Sequence, residues 1–391
     1  MRLDGIRVVD LTTLLPGPYA TQLLADMGAD VVKVERPGVG DPARAMSAAP
    51  GAPDVFSAVN RGKRSVTLDL KTEAGREAAL AIASDADGVV EGFRPGVAER
   101  LGVGYDEIRR ENPGVVYCSL TGFGHAGPHR DRAGHDLNYV GMAGMLDMTR
   151  SPDGDVAIPG FPVADMAGGL FAAFSVLGAL LSRELGGSDP NGSDPPTGEH
   201  VDVAMTDVVL SFSQAVAGDA LGGGDPRGRE TPLTGEFPCY DVYETADGEH
   251  VTLAALEPRF FRAFCAAIDR PDLADAHFST DPAEREALRE TLREEFRARP
   301  RAEWADLGEE TMVAPVRSVA EAVDSDQARE RGLVRGEDAP TGLRVGFPAI
   351  PSGGLVPDES VPDPGEHTVE VLEAAGYDES GIERLREDGA I

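Results

Sequence analysis

The sequence predicts an α/β fold in which a Rossmann-like large domain is followed by a smaller α+β domain. Three observations lead there. Short apolar runs alternate with helical spacing through the N-terminal third, the pattern of βαβ units around a parallel sheet. A hairpin pattern follows only after residue 238, where two strand-like runs flank Ala246-Asp247-Gly248. At 391 residues the chain also exceeds the length at which a single core stops growing, so two domains are expected.

In the large domain IRVVDL (6–11), VVKVE (31–35), SVTLDL (65–70), DGVVEGF (87–93) and GVVYCSL (114–120) read as strands. Between the first two, PYATQLLADMGAD has helical apolar spacing, with Pro18 near its start and Gly28 past its end. The run from Met166 to Ser182 approaches membrane-spanning length but is rich in Gly and Ala and is flanked by Asp165 and Arg183. A buried core helix is the expectation. The stretches 185–200 and 221–238, rich in Gly, Ser, Pro and Asp, read as surface loops, and the second marks a domain boundary. Residues 1–220 then form the large domain and 221–332 the small domain, with its hairpin and helices. A C-terminal segment, 333–391, carries two short amphipathic helices and returns to the large domain.

Charge narrows the function. With 36 Lys+Arg against 68 Asp+Glu the formal charge is −32, which repels nucleic acid and anionic membrane, so neither is an expected partner. Lysine occurs only at Lys33, Lys63 and Lys71. Carboxylate excess with lysine depletion along the whole chain points to adaptation to high salt, where screening shortens repulsion. Cys118, Cys239 and Cys265 are too few and too scattered for a disulfide framework or a zinc site. A reducing cytoplasm fits them, and MRLDGIRVVDL puts charges where the apolar core of a signal peptide would stand.

GFGHAG (122–127) matches G-x-G-x-x-G after a strand, but dinucleotide binding needs that pattern in the first βα turn, which here is LTTLLPGPYA. The glycines read as a tight loop at the carboxyl edge of the sheet. Glu35 stands where a ribose-binding acid would sit, and Arg36 after it is the better partner for phosphate. Lys33, Arg36, Arg61, Lys63, Arg64, Lys71 and Arg94 form an early cationic cluster. They either hold an anionic ligand, such as a phosphorylated nucleotide, or are solvated loop and helix charges.

Asp165, just before the apolar helix, is either its N-cap or a carboxylate projecting into a cleft, with glycines behind it that leave room for a ligand. Glu257, before Pro258, has the setting of a helix start. His135 and Asp136, adjacent in DRAGHDLNYVG, are either a pair held for proton chemistry or side chains packed under a loop.

Taken together, GIRVVDLTTLLPGPYATQLLADMGADVVKVERPG, NRGKRSVTLDLK, EGFRPGVAERLG, AGHDLNYVGMAG, PVADMAGGLFAAF, YDVYETADGEHVTLAALEPRFF and PGEHTVEVLEAAGY resemble the alpha-methylacyl-CoA racemases, a branch of the family III CoA transferases (CaiB/BaiF). The resemblance runs from Gly5 to Gly376 and departs from the pattern at 185–197 and 221–236. There LTGEFP replaces an Asp-Gly-Gly stretch. GHDLNY and ALEPRFF favour the racemase branch over the transferases, which generally lack the histidine and use the aspartate matching Asp165 as a nucleophile.

The resemblance implies an interlocked homodimer whose active sites form between the large domain of one subunit and the small domain of the other. It implies inversion of the carbon next to a thioester carbonyl, with His135 and Asp165 exchanging acid and base roles and Glu257 supporting His135. Two groups are needed because one would return the proton to the side it left. The enolate oxygen is expected to meet backbone N–H groups near the start of the apolar helix. An acyl-CoA substrate is expected along Arg36, Leu68, Asp69, Leu70, Lys71 and Arg94 and along Gly134, Asp136, Leu137, Asn138 and Tyr139, with no separate cofactor and no metal.

Overall fold

The computed structural model describes residues 2–47, 54–151, 153–186, 197–307, 311–336, 344–352, 354 and 357–391. In chain order, β1 (Arg7–Leu11), α1 (Pro16–Asp26), β2 (Asp30–Glu35), β3 (Arg64–Thr67), α2 (Glu73–Ala83), β4 (Gly88–Glu91), α3 (Tyr105–Glu111) and β5 (Val116–Thr121) come first. Next are α4 (Asp136–Met142), α5 (Val163–Glu184), β6 (His200–Ala204) and α6 (Met205–Ser211). Then follow β7 (Tyr240–Glu244), β8 (His250–Ala254), α7 (Pro258–Ala267), α8 (Pro282–Phe296), β9 (Val313–Pro315), α9 (Thr368–Ala374) and α10 (Glu379–Glu387).

Among the described residues β1 to β6 form one parallel sheet in the order β3-β2-β1-β4-β5-β6. That order reverses between β1 and β4, and in such sheets ligands bind outside the carboxyl ends of the strands at the reversal. Each of the five predicted runs forms a strand. The sixth, His200–Ala204, begins where the predicted loop 185–200 ends; residues 187–196 of that loop lie outside the described residues. Among the described residues strand β6 pairs only with β5 and leaves His200 exposed, so its polar alternation carries little strand signal.

One face of the sheet buries Val9, Val32 and Val66 against Ile82 of α2, Leu372 of α9 and Leu385 of α10. On the other face α5 packs on α1. By length and composition α5 could cross a bilayer, yet Ala172, Ala173 and Val176 are buried inside the protein. A Cβ on Gly169 would stand 2.4 Å from the Pro16 carbonyl oxygen, and one on Gly168 would stand 2.5 Å from Met205 Cγ. These glycines therefore permit close helix packing, and the expectation that they leave room for a ligand is overturned.

Two of the three lysines are also reassigned. Lys33 and Lys63 have fully buried side chains. Lys63 Nζ donates to Asp10 Oδ2 at 3.1 Å and to Thr21 Oγ1 at 2.7 Å. Lys33 Nζ lies 2.9 Å from Asp41 Oδ2, while Asp41 Oδ1 accepts the N–H of Leu14. Burial alone would raise the pKa of Asp10, but the two ammonium groups and the Thr12 and Thr21 hydroxyls hold it well below the usual carboxylate range. Removing one member of a buried ion network costs about 3–5 kcal/mol. Asp10→Asn is expected to destabilise the chain by that order, read as a lower midpoint of denaturant unfolding with an unchanged slope.

Contacts divide the chain into two units, Met1–Ala143 with Gly160–Phe212 and Arg329–Ile391, and Gly144–Pro159 with Ser213–Ala328. These boundaries differ from 220 and 332, and the first unit is discontinuous: residues 144–159 leave it and return, which no composition change in the sequence announces. In the second unit β7, β8 and β9 form an antiparallel sheet over an aromatic core. Phe296 stacks on Tyr243 at 4.6 Å and meets Trp304 at the same distance. Asp241 on β7 is gripped by Arg229 at 2.8 Å and by Arg289 of α8 at 2.5 Å.

Candidate active site

The carboxyl ends of β1 to β4 open into a cavity of about 290 Å³. Arg36, Leu68, Asp69, Leu70 and Lys71 line it together, with Thr12, Thr13 and Phe93 opposite. Leu68 is an apolar wall rooted in the core, and the Lys71 N–H donates to Asp69 Oδ1 at 3.0 Å, which fixes the turn. Arg36 and Lys71 are exposed, and neither is paired with a carboxylate among the described residues. Two cations at the mouth of an otherwise acidic protein suit an anionic ligand. Glu35 is not a free ribose acceptor: its carboxylate takes two bonds from Arg44, at 2.7 and 2.8 Å, and one each from Ser65 Oγ and the Asp41 N–H.

A second group of residues forms around the start of α4. The Tyr139 ring is buried between Gly122 and Gly134, where a Cβ at either glycine would come within 2.7 Å of it. Its hydroxyl donates to the Gly134 carbonyl at 2.6 Å, and the His135 N–H donates to Asn138 Oδ1 at 3.0 Å. The Asn138 and Tyr139 side chains thus brace the loop that presents His135, whose imidazole is exposed; Leu137 is exposed as well. Arg94 is exposed and close enough to Tyr139 for its charge to oppose the rise that burial and Asp165 cause in the tyrosine pKa.

Asp165 is the third residue of α5, whose N-cap is Pro162, so it does not cap the helix as one expectation held. Asp136 does so from α4: its Oδ1 accepts the N–H groups of Ala164 at 2.6 Å and Asp165 at 3.1 Å. The Asp165 carboxyl itself accepts no hydrogen bond from the described residues. Burial pushes it up to about 6, the Asp136 carboxylate adds to the push, and the charge of His135 opposes it. A carboxyl poised near neutrality beside an imidazole can take and return protons. The expected enolate donors are largely engaged: Ala164 and Asp165 are committed to Asp136 and the Met166 N–H goes to Pro162 O at 3.0 Å, while the Val163 N–H finds no partner among the described residues.

Residues 3–368 match CoA-transferase family III. The chain belongs to this family. The succinyl-CoA:mesaconate CoA-transferase of Haloarcula marismortui is 36% identical over 416 residues, covering 99% of both chains. Human alpha-methylacyl-CoA racemase is 34% identical over 404 residues, covering 100% of this chain and 98% of its own. The crystal structure of a CAIB/BAIF family protein from Brucella suis superposes with a TM-score of 0.81 at 31% identity, over 95% of this chain and 99% of that one. Family III membership makes the chain an enzyme of the transferase and racemase group, and identity alone does not separate the two activities.

Of the predicted family site residues, Glu257 stands in the second unit as the N-cap of α7, exposed and making no side-chain capping bond. Among the described residues no group of three or more His, Cys, Asp or Glu is arranged to hold a metal ion. Sequence reasoning missed two features: Asp136 as the cap of a distant helix, and buried Glu91 at the end of β4. For the second a signal existed, since a carboxylate closes the apolar run GVVE. The Asp136 arrangement gives a separable prediction. Asp136→Ala removes the cap and should cost about 1–2 kcal/mol, seen as a lower melting temperature. Asp136→Asn keeps an acceptor but removes the charge, so the Asp165 pKa should fall, and the acid limb of activity should move to lower pH with little loss of stability.

Proposed function

We propose that the protein is a 2-methylacyl-CoA racemase that inverts the carbon next to the thioester carbonyl by proton transfer through an enolate. The observation that carries this reading is His135 beside Asp165, held on two separate helix starts that Asp136 ties together. In one direction Asp165 removes the α-proton and His135 supplies one to the opposite face; in the other direction the roles exchange. Val163 N–H is the donor assigned to the enolate oxygen. Coenzyme A lies along the cavity, with Arg36 and Lys71 toward its phosphates and Arg94 assisting. The same proposal includes an interlocked homodimer in the cytoplasm and a supporting role for Glu257.

A second reading is favoured by the relatives named as CoA-transferases. In it the Asp165 carboxylate attacks the acyl-CoA carbonyl, releases CoA thiolate and forms a mixed anhydride; the thiolate then attacks the aspartyl carbonyl, expelling the acyl group as its free carboxylate and leaving an enzyme-bound CoA thioester. Incubation with one epimer of a 2-methylacyl-CoA separates the two. Approach to an equal mixture of epimers without an added carboxylate supports the racemase. Unchanged epimer, together with inactivation by hydroxylamine in the presence of acyl-CoA, supports the transferase.

A further inference from the structure

Glu91 is 1% exposed at the carboxyl end of β4, and among the described residues no salt bridge reaches it. The charges around it are the carboxylates Glu99 and Asp202, with the Tyr117 and Cys118 side chains on β5 and the His125 and His200 rings beyond Ser119. A buried carboxyl among carboxylates is a costly way to fill space, and a glutamine would make similar hydrogen bonds without that cost. Its bonds indicate a use. Glu91 Oε2 accepts the N–H of Phe93 at 2.7 Å, the Ser119 hydroxyl is close enough to lower the pKa of its carboxyl, and Ser119 Oγ lies 2.9 Å from His200 Nε2. Ser119 is fully buried and so is no nucleophile for a substrate, whereas His200 is exposed. Phe93 lines the cavity, and Arg94 follows it.

We propose that Glu91 is the positioning residue of the turn Gly92-Phe93-Arg94 and that Ser119 and His200 carry protons between it and solvent. The inference rests on the reading of this cavity as the coenzyme A site. The relay balances: a proton from water arrives at His200 Nδ1, the Nε2 proton passes to Ser119 Oγ, and the Ser119 proton passes to Glu91. One proton is gained by Glu91, and the reverse sequence returns it. Ionised, Glu91 holds the Phe93 N–H with a charge-assisted bond; neutral, it holds it more weakly and the turn that presents Arg94 loosens.

Burial pushes Glu91 up to about 7, so the switch falls in the working range. The test is calorimetric binding of coenzyme A itself, in molar-salt buffer from pH 5.5 to 8.5, to wild type, Glu91→Gln and Ser119→Ala. The phosphate ionisation of coenzyme A is common to all three proteins and cancels in their comparison. Wild type is expected to weaken by about five-fold relative to Glu91→Gln as pH falls through about 7, the weight of one charge-assisted bond. Glu91→Gln should bind at every pH as the acidic wild type does. Ser119→Ala removes a hydroxyl that lowers the Glu91 pKa, so its midpoint should move to higher pH.

Superimposable wild-type and Glu91→Gln profiles with intact binding would overturn this inference alone. If Glu91→Gln does not fold, an unmoved midpoint in Ser119→Ala overturns it. No binding of coenzyme A by wild type at any pH would overturn the coenzyme A reading and this inference with it.

Discussion

Asp165→Asn is expected to reduce turnover by about 10²–10⁴-fold, the usual contribution of a positioned acid or base. The loss comes with a gain in stability. The folded-state pKa of Asp165 is raised to about 6, so the folded state binds its proton more tightly than the unfolded chain does. Stability therefore falls as pH rises from the unfolded pKa near 4 through about 6, and the full cost is present above that. The amide never ionises, so Asp165→Asn should melt higher than wild type at pH 8, by on the order of 1–2 kcal/mol after allowance for partial exposure. At pH 4 the two should melt alike. Equal melting at both values would mean that the carboxyl is not held near neutrality. For wild type, activity in the direction in which Asp165 removes the α-proton should fall as pH drops through about 6, because protonated Asp165 is neither base nor nucleophile.

His135→Ala has an effect of similar size only if proton transfer is the reaction. The racemase then loses about 10²–10⁴-fold in turnover, and exchange of the α-proton with solvent survives for one epimer, the one that Asp165 deprotonates. The transferase reading expects a small change, since Asp165 attacks without the imidazole. The Asp165 and His135 variants should also fail to add: either loss alone breaks a relay that needs both groups. Measuring the double variant alongside the singles checks this, and a product of the two single effects would contradict a shared proton pathway.

Much of this arrangement is legible in the sequence, for reasons that can be traced to particular residues. The parallel strands β1, β2, β4 and β5 are buried on both faces, and their near-continuous apolar runs name them. Edge strand β6 is paired on one side and carries His200 and Asp202, so its pattern is that of a loop. The lysines misled for a related reason: scarcity on an acidic surface suggested ligand contacts, whereas Lys33 and Lys63 answer Asp10 and Asp41 inside the fold. A charged residue within an apolar strand, as in VVDL and GVVE, marks such a buried site but not its partner, because the partner comes from another strand or loop.

The candidate site shows the same limit. His135 and Asp165 stand out because chemistry needs those residue types, and the cavity gathers Arg36, Leu68, Asp69, Leu70 and Lys71, the five residues that the family resemblance had placed along an acyl-CoA. The capping of α5 by Asp136 depends on a contact across 28 residues of chain, which no local pattern encodes. That contact frees the Asp165 side chain from capping and adds the negative charge that helps to hold its proton near neutral pH.

The most direct measurement is deuterium uptake at the α-carbon, read by mass spectrometry, when the protein is incubated in deuterated high-salt buffer with (R)- and with (S)-2-methylacyl-CoA. Two-base inversion by His135 and Asp165 predicts uptake from both epimers, with one lost in His135→Ala and the other in Asp165→Ala. No uptake from either epimer, with CoA passing instead to an added carboxylate, would contradict it and make Asp165 a nucleophile.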